Sequence, residues 1–195
     1  MFVTGLVLAA GSSRRLGHPK QLLPYRGATL LDATMDTARR CAFGQLLVTL
    51  GGAAEGVRAR VDLSGARIVE VPDHRHGCGN SLRQAIPAVD PRAEGLVLLP
   101  GDQPGIRPET VRELLRAAGA SPAGVCRYTD GVGHPFWFHA ELFRELAALH
   151  GDKAVWSLLE RTPEVVELAV ETTVPPDVDT WEDYQMLLAE TGVRG

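Results

Sequence analysis

The feature that most constrains this chain is an apolar segment that runs directly into a glycine-bounded loop. The apolar segment Leu6–Ala10 is followed by Gly11, and Gly17 closes a loop that carries Arg14 and Arg15. Such a loop exposes successive backbone N–H groups, and positive side chains around those groups favour a polyphosphate ligand. The pattern therefore predicts a buried strand that ends at a phosphate-binding loop.

Two common phosphate-binding motifs do not fit this loop. A P-loop requires a second glycine where Leu16 stands, and the dinucleotide-binding pattern G-x-G-x-x-G does not occur in the chain. A simpler interpretation, that Arg14, Arg15 and Lys20 form only a solvated cationic turn, stays open from these residues alone.

The composition limits the class of protein. With 195 residues and 45% hydrophobic content, the chain can fill one core, and we expect a single domain over residues 1–195. The net charge of −4 argues against nucleic-acid and anionic-membrane partners, because both require a basic face. Cys41, Cys78 and Cys126 lack metal-ligand spacing, so we expect neither a zinc site nor a disulfide framework. The first apolar segment is too short for a signal peptide, and a cytoplasmic protein is expected.

Short apolar segments alternate with segments of helical periodicity, which is typical of βαβ units on a mostly parallel sheet. The predicted strands are Leu6–Ala10, Gln45–Leu50, Arg67–Val71, Gly95–Pro100, Gly124–Tyr128 and a short strand at Phe136–Phe138. The predicted helices are Ala28–Cys41, Ala53–Val61, Ser81–Ala88, Pro108–Ala118, Ala140–His150, Lys153–Arg161 and Trp181–Glu190.

A single carboxylate, Asp102, follows the apolar strand Gly95–Pro100. Ligands of open α/β sheets bind beyond the carboxyl ends of the strands, where Asp102 stands on a turn bracketed by glycine and proline. One carboxylate suits Mg²⁺, which keeps most of its waters and bridges substrate phosphates. The alternative is that Asp102 caps the helix that begins near Pro108.

A second acidic segment precedes the last predicted helix. We expect Asp177 and Asp179 to point to opposite sides of an extended chain, so that only one of them faces the site. Asp179 lies nearer the helix start, and both roles stay open for it, a helix N-cap and a second metal ligand.

A glycine-containing loop after the third strand supplies neutral polar groups. Asn80 and Ser81 can form hydrogen bonds to a nucleobase or ribose at the start of the next helix, and the two glycines before them allow close backbone approach. His74 and His76 have the spacing of a ligand pair, but the absence of a third ligand nearby favours ordinary loop histidines.

Six motifs occur in the order found in MobA/MocA-like nucleotidyltransferases. They are Leu8–Gly17, Lys20–Leu23, Gly77–Leu82, Gly101–Pro104, Gly133–Pro135 and Asp177–Thr180. The chain resembles this family over nearly its whole length. Its Leu-Ala-Ala-Gly loop followed by Lys-Gln-Leu-Leu-Pro is most similar to the molybdenum cofactor cytidylyltransferase (MocA-type) branch. The resemblance implies a Rossmann-like, three-layer α/β/α nucleotidyltransferase fold with a mostly parallel central sheet.

The resemblance also implies roles for individual residues. The nucleotide would be held by Leu8, Ala9, Ala10, Gly11, Ser12, Ser13, Arg14, Asn80 and Ser81. Arg15, Lys20 and Asp102 would be catalytic, the two cations by neutralising the triphosphate. Asp102 and Asp179 would hold Mg²⁺, and His134 would face the acceptor.

The reaction that the resemblance implies is transfer of CMP from CTP to a phosphorylated acceptor, molybdopterin, with release of pyrophosphate. A phosphate monoester is already largely a dianion at neutral pH, so this reaction needs no general base. The implied partners are the nucleoside triphosphate, the acceptor and molybdoenzyme maturation proteins.

Three departures from the family pattern keep other functions open. Gly151–Trp156 keeps the start of the family run Gly-Asp-Lys/Arg-Gly-Ala-Arg but loses its later glycine and arginine. Trp181 replaces a usual proline, and Asn80 stands where a small residue is common. The alternatives are a sugar-phosphate or polyol-phosphate nucleotidyltransferase, a MobA-type guanylyltransferase, and a nucleotide-binding protein without catalytic activity.

Overall fold

The first strand, predicted over Leu6–Ala10, is β1 (Val3–Ala9). It lies inside a sheet and is buried along almost its whole length. A computed structural model of the protein describes residues 1–72, 77–151 and 153–192. The apolar character of β1 on both of its faces follows from its position, because a strand of a parallel sheet is covered on both sides.

The described strands and helices follow the predicted alternation. The other strands are β2 (Pro24–Tyr25), β3 (Ala28–Thr29), β4 (Gln45–Leu50), β5 (Arg67–Glu70), β6 (Gly95–Pro100), β7 (Ala123–Tyr128), β8 (Gly131–His139) and β9 (Val165–Ala169). The helices are α1 (Leu30–Arg40), α2 (Ala54–Arg60), α3 (Cys78–Ala85), α4 (Pro108–Ala118), α5 (Phe143–Ala147), α6 (Ala154–Arg161) and α7 (Trp181–Thr191). Short 3₁₀ turns occur at Lys20–Leu22, Ile86–Ala88 and Ala140–Leu142.

The described strands build a seven-stranded sheet in the order β5-β4-β1-β6-β8-β7-β9, and β2 and β3 form a separate hairpin. β8 runs antiparallel to both of its neighbours, whereas the other pairings in the large sheet are parallel. The predicted α/β class with a mostly parallel sheet is therefore confirmed.

Helices cover both faces of the sheet and complete the predicted three layers. On one face, Met35 of α1, Val57 of α2 and Leu114 of α4 pack against strand residues such as Val7. On the other face, α3, α5 and α6 contribute Leu82, Leu146 and Leu158, which pack with Leu6, Leu98 and Phe136. Alternate residues of each central strand thus enter different cores, as the period of a strand requires.

A third apolar cluster attaches α7 to the loop that follows β1. Leu16 of that loop packs in this cluster with Leu30 of α1, Val178, and Tyr184 and Leu187 of α7. The last helix therefore stabilises the predicted phosphate-binding loop, although the two are far apart in the sequence.

Some elements differ from the sequence prediction. β8 is nine residues long rather than a short strand at Phe136–Phe138, and β9 and the β2–β3 hairpin were not predicted. α3 begins at Cys78, earlier than the predicted Ser81, and α5 ends at Ala147. These differences share a cause, because strand pairing and helix ends depend on partners that are distant in sequence.

The strand order reverses between β1 and β6, since the chain leaves β1 toward β4 and later returns on the other side of β1 through β6. The loops after these two strands diverge at such a point and leave a crevice. Gly101 holds the two strand ends together. Its N–H donates to the Leu8 carbonyl at 2.8 Å, and an added Cβ would lie 2.9 Å from the Leu8 oxygen and 3.0 Å from the Ala9 Cβ.

Among the residues that the structure describes, none of the helices combines the length and the apolar character needed to cross a lipid bilayer.

We expect Gly101→Ala to lower the thermal midpoint of unfolding. The added methyl group is forced against the backbone of β1, and overpacking of this kind costs about 1–3 kcal/mol. Gly11→Ala is the matched control, because its added Cβ meets a neighbour at an ordinary 3.8 Å. Calorimetry of both variants tests the prediction, and an equal midpoint for Gly101→Ala and wild type would contradict the close contact.

Candidate active site

A cavity of about 610 Å³ opens at the crevice beyond β1 and β6. Its lining combines the loop after β1, the turn after β6, the start of α3, part of β8, the start of α6 and the segment before α7. The lining residues are Leu8–Arg15, Lys20, Gln21, Gly77, Cys78, Ser81, Leu98, Pro100–Gln103, His134, Phe136, Val155, Trp156, Asp177 and Asp179. Most residues predicted for the site therefore meet in one place.

Internal hydrogen bonds hold the loop after β1 in shape. Ser13 adopts a left-handed conformation with φ of 48°, and its carbonyl accepts a hydrogen bond from the N–H of Gly17 at 3.1 Å. The Ser13 hydroxyl accepts another from the backbone N–H of Lys20 at 3.0 Å. The amide of Gln21 donates to the carbonyls of Ala9 at 2.8 Å and Gly11 at 3.0 Å. The protein itself thus fixes the loop before any ligand binds.

Lys20 lies between two carboxylates. Its Nζ donates to Oδ2 of Asp102 at 2.5 Å and to Oδ1 of Asp179 at 2.8 Å. Arg15 donates to the other oxygen of Asp179 at 2.6 Å. Lys20 and Asp102 keep only 14% and 19% of their side chains exposed. The predicted cationic loop and the predicted acidic turn are therefore in direct contact.

Backbone contacts place Asp179 beside Asp102. The N–H of Val178 donates to the Asp102 carbonyl at 3.2 Å, and the amide of Gln103 donates to the Pro175 carbonyl at 3.1 Å. These contacts attach the segment before α7 to the turn after β6.

The capping alternatives for both acids are wrong. Thr180 is the N-cap of α7, where it forms a capping box with Asp183, so Asp179 is free to face the cavity. Arg107 is the N-cap of α4 and makes no side-chain capping bond there, while the carboxylate of Asp102 contacts Lys20.

The expectation that only one acid of the last segment faces the site is also wrong. Asp177 and Asp179 both line the cavity. Successive side chains of an extended chain alternate, so residues two apart point to the same side.

The charges of this cluster perturb one another. Burial lowers the pKa of Lys20, but the neighbouring Asp102 and Asp179 outweigh burial and leave that pKa raised. Burial and the negative charges of Asp102 and Asp179 raise the pKa of Asp177. Burial also acts to raise the pKa of Asp179, yet its contacts with Lys20 and Arg15 leave that pKa lowered.

The start of α3 supplies only part of what was predicted there. Gly77, Cys78 and Ser81 line the cavity, whereas Asn80 does not. Asn80 is buried, and its Oδ1 accepts a hydrogen bond from Arg83 at 2.7 Å. Close approach at Gly79 serves the protein's own packing, since an added Cβ would lie 2.9 Å from the backbone of residues 149 and 150. A role for Asn80 in nucleotide binding stays a prediction.

Two other predictions fall outside the described residues. His74 and His76 belong to the segment 73–76, and Asp152 of the Gly151–Trp156 run is also outside.

Sequence reasoning did not assign some of the lining residues to the site. Phe136 and Trp156 line the wall next to His134, and Gln21 and Gln103 line it near the charged cluster. The replacement of an expected arginine by Trp156 was the available signal. The structure also explains Trp181, which stands where a proline is usual. Its indole N–H donates to the Leu16 carbonyl at 3.1 Å and so fixes the loop after β1.

The residues present fit a hard divalent cation. Mg²⁺ prefers oxygen ligands and commonly takes one or two carboxylates, with waters and substrate phosphates completing its shell. Asp102 and Asp179 offer two carboxylates close enough to share one cation, as their common contact with the Lys20 ammonium shows. Among the described residues, no group of three or more His, Cys, Asp and Glu side chains forms a complete protein cage.

Comparison with known proteins identifies the family. The family model described as the MobA-like NTP transferase domain matches residues 5–166. The chain belongs to this family. The resemblance deduced from the six motifs is therefore confirmed, and the protein is a nucleotidyltransferase of the MobA-like type by family.

Several relatives of this MobA-like chain match over almost its full length. The crystal structure of Rv0371c from Mycobacterium tuberculosis H37Rv is 56% identical, with a TM-score of 0.90 over 96% of this chain and 97% of that one. A structure of Rv0371c in complex with manganese is 53% identical, with a TM-score of 0.88 over 97% of this chain and 99% of that one. Nicotine blue oxidoreductase from Paenarthrobacter nicotinovorans is 34% identical over 95% of this chain and 96% of its own length.

The raised pKa of Asp177 predicts that Asp177→Asn stabilises the ligand-free protein at pH 7. In the wild type, ionisation of the Asp177 carboxyl destabilises the folded protein. This effect begins as pH rises past the ordinary pKa of 3.8 and is complete above the raised pKa of the folded state. We expect the midpoint to rise by about 1–2 °C at pH 7, because partly exposed charges contribute less than about 1 kcal/mol. The difference in thermal midpoint between Asp177→Asn and wild type should disappear below pH 3.8.

Asp179→Asn is the matched comparison. The lowered pKa of Asp179 means that its stabilisation is present above its ordinary pKa and is lost as pH falls through the folded pKa. This variant should therefore lower the midpoint at pH 7. Thermal melts between pH 3 and pH 8 measure both effects, and shifts of the same sign for the two variants would refute this electrostatic account.

Proposed function

We propose that this protein transfers CMP from CTP to a phosphorylated acceptor of the molybdopterin type, with release of pyrophosphate and with Mg²⁺ as cofactor. One observation carries the proposal. The cations of the loop after β1 and the carboxylates beside β6 and α7 meet in a single cavity. A triphosphate bound there is surrounded by the groups that its transfer chemistry requires.

The proposed reaction is an in-line displacement at the α-phosphorus. An acceptor phosphate, largely a dianion at neutral pH because its second pKa is about 6, forms the new P–O bond, and the bond to pyrophosphate breaks. No side chain has to remove a proton. The protein instead positions two polyanions and offsets their repulsion, which is electrostatic and positional catalysis.

Lys20 and Arg15 serve this charge neutralisation, and Asp102 and Asp179 would hold Mg²⁺. When bound, the metal would supply positive charge that offsets the negative charge of the substrate phosphates. The Lys20 ammonium lies between the same two carboxylates, so Lys20 turns from them toward the triphosphate when the site is loaded. The manganese complex of the 53% identical Rv0371c supports a divalent cation.

The nucleotide and the acceptor are assigned from the loops around the cavity. The Leu-Ala-Ala-Gly sequence before Ser12 supports cytidine, as in the MocA-type branch that the chain resembles. We assign the base and ribose to the backbone of Leu8–Gly11 and the Ser81 hydroxyl, and the phosphates to Ser12, Ser13 and Arg14. All of these residues line the cavity. His134 lines the part of the cavity assigned to the acceptor.

A second candidate function is oxidoreduction of a substrate in the same cavity. It is favoured by the 34% identical, full-length relative that is named nicotine blue oxidoreductase. The two functions are separated by direct assay. Pyrophosphate release from CTP with molybdopterin supports transfer, whereas a change in the oxidation state of nicotine blue without pyrophosphate release supports oxidoreduction.

We expect Asp102→Ala and Lys20→Ala each to lower turnover by at least ~100-fold, in line with loss of one preorganised electrostatic partner. Pyrophosphate release from CTP with Mg²⁺ and molybdopterin measures the effect, and chelation of the metal should abolish the wild-type rate. Asp36→Ala, an exposed acid on α1, is the control and should keep wild-type turnover. Near-normal pyrophosphate release by either site variant would defeat the assigned roles.

The position of Lys20 also predicts a change in metal affinity that needs no turnover. Lys20→Met removes the ammonium from between Asp102 and Asp179, so Mn²⁺ should bind the nucleotide-free protein about tenfold more tightly, or about 1.4 kcal/mol. Electron paramagnetic resonance of free Mn²⁺ measures this affinity. Unchanged or weaker binding would show that the lysine and the metal do not compete for these carboxylates.

A further inference from the structure

Three aromatic side chains form a row along one wall of the cavity, and the phosphate chemistry proposed above does not use them. His134, Phe136 and Trp156 all line the cavity. Phe136 is fully buried, whereas Trp156 in the first turn of α6 keeps 40% of its surface exposed. A large aromatic side chain left open beside a cavity is a common sign of a ligand-binding surface.

Ring contacts fix the row in place. The Trp156 and Phe136 rings lie 5.1 Å apart between centroids at an interplanar angle of 82°. The His134 and Phe136 rings lie 4.0 Å apart at 33°. Phe136 is anchored in the sheet, where it pairs with Leu98, so it supports both outer rings on a rigid element.

His134 is the nearer of the two β8 rings to the charged cluster. β8 is antiparallel to β6, so His134 lies nearer than Phe136 to the end of β6 that carries Asp102. Trp156 contacts the same Phe136 ring from α6. A ligand with a phosphate at the Lys20–Asp102 cluster can place a second, non-phosphate group along these rings.

The wall is uncharged. Burial lowers the pKa of His134 to about 3, so its imidazole is neutral at physiological pH. Trp156 stands where the family run carries an arginine, and an indole cannot pair with a phosphate as a guanidinium does. It offers instead a wide π-face, on which planar rings stack.

We propose that this aromatic wall binds a planar nitrogen heterocycle of the acceptor through Trp156 and His134, with the buried Phe136 as their support and with Trp156 as the stacking surface and the specificity-determining residue. The proposal rests on the proposed function for the phosphate end of the acceptor. Ring stacking on Trp156 would then replace a contact that the arginine of the family run could make with a phosphate.

Binding measured without nucleotide tests the wall independently of transfer. The probes are free pterin, a planar heterocycle without phosphate, and glycerol 3-phosphate, a phosphate without a ring. Calorimetric titration compares wild type with Trp156→Phe, Trp156→Leu and Trp156→Arg. Thermal melts and CTP titration of each variant verify that the fold and the nucleotide site are intact.

We expect Trp156→Phe to bind pterin within about threefold of wild type, whereas Trp156→Leu and Trp156→Arg lose at least tenfold in pterin affinity. Trp156→Arg should in turn bind glycerol 3-phosphate more tightly than wild type. Equal pterin affinity in wild type and Trp156→Leu, or no pterin binding by wild type, overturns the proposal. Pterin binding that depends on Trp156 without pyrophosphate release in the transfer assay would uphold the wall and reject transfer.

Discussion

The contact of the Lys20 ammonium with Asp102 and Asp179 is the interaction on which the site depends. It joins the loop after β1, the turn after β6 and the segment before α7. These charges are largely removed from water, and each is tolerated there because an opposite charge lies within hydrogen-bond distance. Lys20 offsets the charge of the two carboxylates and keeps a positive charge beside the loop after β1.

The surrounding scaffold fixes the backbone that carries these groups before a ligand arrives. Gly101 lets the ends of β1 and β6 touch, Gln21 fixes two carbonyls of the loop, and Trp181 donates to its Leu16 carbonyl. Leu16 itself packs under α7. A backbone that is already fixed needs little reorganisation during the reaction. Such preorganisation is a large part of electrostatic catalysis.

The cavity combines a cluster of charged side chains with an aromatic wall. Its charged end holds the cations and carboxylates that the proposed transfer uses, while another wall is lined by His134, Phe136 and Trp156. A full-length relative carries the name of an oxidoreductase, so the fold by itself does not decide the reaction.

Local patterns in the sequence determined much of this protein. β4, β6 and α4 have the predicted bounds, because apolar run length and a proline at the start of a helix act locally. The cationic loop and Asp102 were also recognisable as parts of a site. Only the tertiary structure decided that Lys20 contacts acids 82 and 159 residues away, that both Asp177 and Asp179 face the cavity, and that Trp156 lies against Phe136. Such contacts depend on how strands pair and helices pack, and no local segment specifies which distant side chain it will meet.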